Sequence, residues 1–191
     1  MKICIYGASS NKTSDDYITA VETLGEELAK CGHGLVFGGG AEGLMGAAVR
    51  GFTRQGGYTL GISPEFFNTD GRLYDKCTEF IYTQTMRERK KLLEENSDAF
   101  IIVPGGIGTF DEFFEILTLK QLGRHSKAVV VFNINGYYDS FTAMMENALK
   151  NNFIAPGTLD LYKVCSSCDE IVNYLGNYKE TEANIKNTKY V

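Results

Sequence analysis

Short apolar and β-branched runs at positions 3–6, 35–37, 58–62, 80–82, 100–103 and 129–132 alternate with stretches of helical periodicity. The helical stretches lie at 15–31, 44–55, 86–96, 109–122 and 140–151, with a last one near 169–175. Each apolar run closes on a glycine, polar or proline break, the pattern of a strand. Runs this short and this continuously apolar are strands buried on both faces. A chain that passes through a helix between successive strands lays them parallel, with crossover helices on both sides of the sheet. The alternation predicts an α/β fold, a Rossmann-like doubly wound parallel sheet, spanning residues 1–175 as a single domain. A polar, weakly periodic and loosely held tail is expected over 176–191. The 191 residues suffice for one well-buried core and fall short of two ordinary ones.

In this architecture ligands bind beyond the carboxyl ends of the strands. Three unusual loops follow strands directly: Gly7-Ala8-Ser9-Ser10, Gly38-Gly39-Gly40-Ala41-Glu42-Gly43 and Pro104-Gly105-Gly106-Ile107-Gly108-Thr109. All three are expected on one edge of the sheet. The last opens a helix through Phe113, Phe114 and Leu117. Its glycines permit close backbone approach, and the unpaired N–H groups of the helix start favour an anion, phosphate best of all. A tight strand-to-helix bend with Thr109 as N-cap accounts for the same residues, and the glycines alone do not separate the two readings. The Gly-Lys-Ser/Thr ending of a triphosphate loop is missing, so a monophosphate is the better match.

Asp111 and Glu112 suit the positive end of that helix. Thr109, Glu112 and Glu115 also recur along one helical side, which brings a carboxylate within reach of a sugar whose phosphate sits at the turn. Upstream, Thr85-x-x-Glu88 is a capping box that marks another helix start. The charges of residues 87–91 read as a solvated face. Arg89, however, shares the apolar side of its helix with Met86, Leu92 and Leu93. It is either an inward partner for an anion or carboxylate, or a side chain snorkelling over the core rim. Gly38-x-Gly40-x-x-Gly43 matches the dinucleotide fingerprint, with Glu65 beyond the next strand, but it follows the second strand, where close packing is the better explanation. Ser9 and Ser10 are placed either to donate hydroxyls into the same crevice or to cap their own loop.

A net charge of -5 disfavours a nucleic-acid partner. The N-terminus offers no export segment and no apolar run has the length to cross a membrane, so a cytoplasmic protein is expected. The five cysteines are scattered, which suits a reducing compartment. Cys165-Ser-Ser-Cys168 has no second pair, and His33 and His125 are distant in sequence, so neither a metal nor a cofactor is expected.

The stretch Pro104 to Glu112 resembles the PGGxGTxxE motif of the LOG (LONELY GUY) family, cytokinin riboside 5′-monophosphate phosphoribohydrolases once labelled lysine decarboxylases. The likeness extends to about Tyr162 through Gly38–Gly46, Arg89-Lys90 and Asn135-Gly136-Tyr137-Tyr138. It implies that Gly105, Gly106, Gly108 and Thr109 hold the 5′-phosphate of a purine nucleoside monophosphate and that Arg89 and Glu112 form the catalytic pair. It further implies that Ser9, Gly38, Gly39, Met86 and Glu115 line the nucleoside pocket and that the protein is a homodimer. Arg87, Asp111 and Gly7-Ala8 depart from the family pattern, which bears on substrate preference. A rival reading keeps the fold and the phosphate turn in a nucleotide- or cofactor-binding protein that hydrolyses nothing.

Overall fold

Along the central strand β1 (Lys2–Tyr6), Ile3 and Ile5 join the core on one face of the sheet, whereas Cys4 and Tyr6 join the core on the other. This period of two puts a layer of helices on each side. One layer is α1 (Asp15–Lys30), α2 (Gly43–Arg54) and α6 (Cys168–Asn177); the other is α3 (Met86–Glu95), α4 (Ile107–Gln121) and α5 (Asp139–Lys150). The computed structural model describes residues 1–68, 72–180 and 188.

The remaining strands are β2 (Gly34–Phe37), β3 (Thr59–Pro64), β4 (Glu79–Thr83), β5 (Ala99–Ile102), β6 (Ala128–Phe132) and β7 (Lys163–Cys165). All seven pair in parallel in the order β4-β3-β2-β1-β5-β6-β7. The expected doubly wound sheet is therefore present. Its direction of growth reverses between β1 and β5, so the loops after these two strands flank the crevice where such sheets take ligands. β7 was not expected from the sequence. It is a three-residue edge strand with Lys163 exposed, too short and too polar to form an apolar run.

Two helix starts govern the site. At α3 the expected capping box is present: Thr85 Oγ1 accepts from Glu88 N at 3.1 Å, and Glu88 Oε2 accepts from Gln84 N at 2.9 Å. At α4 the cap is Gly106, not Thr109. Thr109 lies inside the first turn, 4% exposed, with its side chain against Gly105, so its hydroxyl is not free to cap.

Of the expected tail, residues 176 and 177 belong to α6. Tyr178 Oη donates to the Ser126 carbonyl at 2.6 Å, and Ser126 Oγ donates to Glu180 at 2.7 Å. Positions 181–187 and 189–191 lie outside the described residues. Among the described residues, no helix is long and apolar enough to cross a membrane.

Candidate active site

The carboxyl ends of β1, β2 and β5 bring the three glycine loops together, as expected of parallel strands. The loop after β1 is laced between the other two: Ala8 N donates to Pro104 O at 3.0 Å, and Ala8 O accepts from Leu44 N at 2.8 Å. Behind the turn after β5, three successive carbonyls are tethered. Tyr138 Oη donates to Val103 O at 2.9 Å, Ala8 N to Pro104 O, and Tyr137 Oη to Gly105 O at 2.6 Å. Because a trans peptide sets N–H opposite to C=O, the Gly106 amide points away from Tyr137. The first bond within α4 runs from Phe110 N to Gly106 O at 3.0 Å, which leaves the Ile107, Gly108 and Thr109 amides without an acceptor in the helix. Space beside Gly106 and Gly108 is open. Amides without a helical acceptor, beside the exposed Gly106, Ile107 and Gly108, at the positive end of a fifteen-residue helix make a cradle suited to an anion.

One turn into α4 stands Glu112, 8% exposed, and from α3 comes Arg89, equally buried. Arg89 Nη2 donates to Glu112 Oε1 at 2.8 Å. Arg89 thus turns inward, and the snorkelling alternative does not hold. Its guanidinium lies against Gly38, where a Cβ would collide with it. Met86 Sδ is 3.7 Å from Nη1 on the same guanidinium. Burial pushes the Glu112 carboxyl up to about 7, against the opposing pull of Arg89. A carboxyl that titrates near neutrality exchanges a proton at working pH.

Arg89 also borders a cavity of about 380 Å³, within the size range of small-molecule sites. Ser9 and Gly38 line this cavity, together with Glu42, Met45, Ser63 and Arg72. The wall bearing Arg72 and Leu73 is pinned to the second glycine loop by an antiparallel bridge from Gly40 to Leu73. Ala41 N donates to Arg72 O at 3.0 Å and Tyr74 N to Gly39 O at 2.8 Å beside it. Gly39 itself, at φ 79°, turns the loop against Phe80 and leaves no room for a side chain. Glu115 is turned elsewhere, toward Lys90 Nζ at 2.6 Å. The departing residues separate likewise: Arg87 is exposed, and Asp111 pairs with Lys90 at 3.0 Å.

A family model described as "Possible lysine decarboxylase" matches residues 45–175. The cytokinin riboside 5′-monophosphate phosphoribohydrolase LOG3 of Arabidopsis thaliana is 33% identical over 93% of this chain and 82% of its own. LOG5 of the same plant, with the same description, is 33% identical over 93% and 78%. The chain belongs to the LOG family. Among solved structures, the molybdenum cofactor binding protein of Rippkaea orientalis superposes with a TM-score of 0.70 at 20% identity, covering 92% of this chain and 94% of that one. The Moco carrier protein of Chlamydomonas reinhardtii gives 0.69 at 22%, with the same coverage. At that identity these likenesses establish the shared fold alone.

Several residues of this candidate site carried no usable signal in the sequence. Ser63 ends a strand like any buried serine, and Arg72 reaches the cavity only through a backbone bridge spanning over thirty positions of chain. Tyr137 and Tyr138 stand out as a pair, but which carbonyls they hold depends on the packing of the 134–138 turn against β5.

Proposed function

We propose that this protein hydrolyses the N-glycosidic bond of a purine nucleoside 5′-monophosphate, releasing the free base and ribose 5-phosphate. The observation that carries this reading is the buried Arg89–Glu112 pair one helical turn from the open amides of the 106–109 turn. The phosphate would lie on those amides and the base in the cavity bordered by Arg89, with the ribose between them beside Glu112. In its ionised form Glu112 stabilises positive charge developing at C1′ and takes a proton from the attacking water. The water oxygen bonds to C1′ as the C1′–N bond breaks and its electron pair leaves with the base; the base takes up a proton from solvent, to which Glu112 returns the one it accepted. Arg89 holds the carboxylate in place and opposes its protonation. The names of the plant relatives support this chemistry. The decarboxylase wording of the family model does not suit the cavity, whose described lining has no lysine to form the Schiff base of such an enzyme.

A panel of AMP, GMP, IMP and N6-isopentenyl-AMP, each beside its nucleoside, is the direct test, with released base read by chromatography. Base should appear from at least one monophosphate, and the matching nucleoside should be roughly 100-fold poorer or worse, because it forfeits the binding energy of the remote phosphate. Binding of a monophosphate with no release from any member would reject hydrolysis and support the non-hydrolytic carrier reading.

The site also adjoins an apolar groove between α4 and α5, lined by Phe110, Phe114, Tyr137, Tyr138, Phe141 and Met144. Phe114 is 39% and Met144 52% exposed there, and Ile107 beside the phosphate turn is 83% exposed. We assign this face to a second copy of the chain, in keeping with the family resemblance. Sedimentation should show a dimer that Phe114→Glu, Met144→Glu converts to a folded monomer; an unchanged dimer would place the interface elsewhere.

A further inference from the structure

Lys90 follows Arg89 in sequence and does different work. Its ammonium lies 3.0 Å from Asp111 Oδ2 and 2.6 Å from Glu115 Oε2, so one cation from α3 holds the carboxylates on both sides of Glu112 along α4. The lysine side chain is 19% exposed, against 58% for Asp111 and 40% for Glu115. As a surface contact, such a cluster contributes little to stability. Its position gives it more consequence. Without Lys90, two uncompensated carboxylates would stand within a turn of the Glu112 carboxyl along α4, and Asp111 within a turn of the anion cradle as well.

We propose that Lys90 is a positioning residue of the hydrolytic site: by holding Asp111 and Glu115 it cancels their field at Glu112 and at the phosphate turn, and it keeps α3 in register for the Arg89–Glu112 bond. This rests on the function proposed above. The groups facing Glu112 are Arg89 and Lys90 from α3, Asp111 and Glu115 from its own helix, and Tyr6 and Cys4 from β1. Burial raises both β1 groups and keeps them neutral at working pH, so the balance at Glu112 is set by two cations and two anions. Lys90 is the cation shared with both flanking anions.

The test compares Lys90→Met, Lys90→Arg and the double variant Asp111→Asn, Glu115→Gln with the starting protein. The Glu112 midpoint is read without substrate, as the pH dependence of the melting temperature that Glu112→Gln removes. Lys90→Met should raise that midpoint by about half a unit to one unit, and the double variant should lower it, because a nearby anion disfavours and a nearby cation favours the charged carboxylate. Lys90→Arg should restore it. With AMP, Lys90→Met should raise KM several-fold more than it lowers kcat. A fall in melting temperature with no midpoint shift in either Lys90→Met or the double variant would reduce Lys90 to a structural tie and overturn the proposal. Because the midpoint needs no turnover, a protein that releases no base would sink the hydrolase reading while still deciding the role of Lys90.

Discussion

Glu112→Gln is expected to reduce base release from AMP by about 1,000-fold or more, the scale seen when a group aimed at transition-state charge is removed. Glutamine keeps the shape and one acceptor for Arg89 Nη2 but neither stabilises a cation at C1′ nor accepts a proton from water. In the unsubstituted protein kcat/KM should climb with pH and level off above about 7, where the carboxyl becomes ionised. Any residual activity of the glutamine variant should lack that limb. Stability runs the opposite way. Burial raises the folded-state value from 4.5 to about 7, so the folded protein holds this proton more tightly than the unfolded chain. That contribution is fully present below pH 4.5 and is lost as pH rises through 7. Glu112→Gln should abolish this slope, so that the variant matches or exceeds the parent in melting temperature at pH 8. A variant that retains near-normal turnover, or a parent with no such limb, would remove Glu112 from the mechanism.

Arg89→Met should also be damaging to activity and, unlike the glutamine change, damaging to stability. It strands a carboxylate at a position 8% exposed, and breaking a buried pair by removing one partner costs about 3–5 kcal/mol while the other remains charged. Glu112 relieves part of that cost by taking a proton, so the loss in melting temperature should be small at pH 5 and large at pH 8. Its midpoint should move above about 7, which leaves little ionised carboxylate at neutrality and a base-release rate at least about 100-fold down. Adding Glu112→Gln to this variant should recover much of the lost stability, since the two side chains act as one unit and their effects should not add. Additive losses in that cycle would show that the 2.8 Å contact carries no coupling.

The sheet was readable because its inner strands are covered on both faces, whereas the edge strand β4 proved half-exposed and was recognised only because it still carries the run at positions 80–82. Burial on both sides requires unbroken apolar runs, and the polar loops between them announce the crossovers. β7 escaped for the converse reason: as a three-residue edge strand it needs little apolar sequence. The start of α3 was readable because a capping box is a local arrangement, closed within four residues. The start of α4 was displaced because Thr109 folds back within its own turn. Its side chain packs against Gly105, and the cap passes to a glycine with no side chain to signal it.

The candidate site divides the same way. The sequence by itself determined the sheet class, the three glycine loops on one edge and the place of Arg89 on the apolar side of its helix, since these follow from strand and helix periodicity within a few residues; that Arg89 turns inward was left to the structure. It also supplied the motif that marks Gly105 to Glu112. Only the tertiary structure decided that Arg89 and Glu112 meet, that Gly38 is a glycine because the guanidinium lies on it, and that Glu115 faces Lys90 instead of the cavity. It likewise decided that Arg72 joins the cavity and that two tyrosines hold the carbonyls behind the 106–109 turn. These contacts join residues brought together by different crossovers, and their partners depend on which strands are neighbours. Periodicity along a chain specifies which way a side chain points from its own element; the packing of the sheet specifies what it finds there.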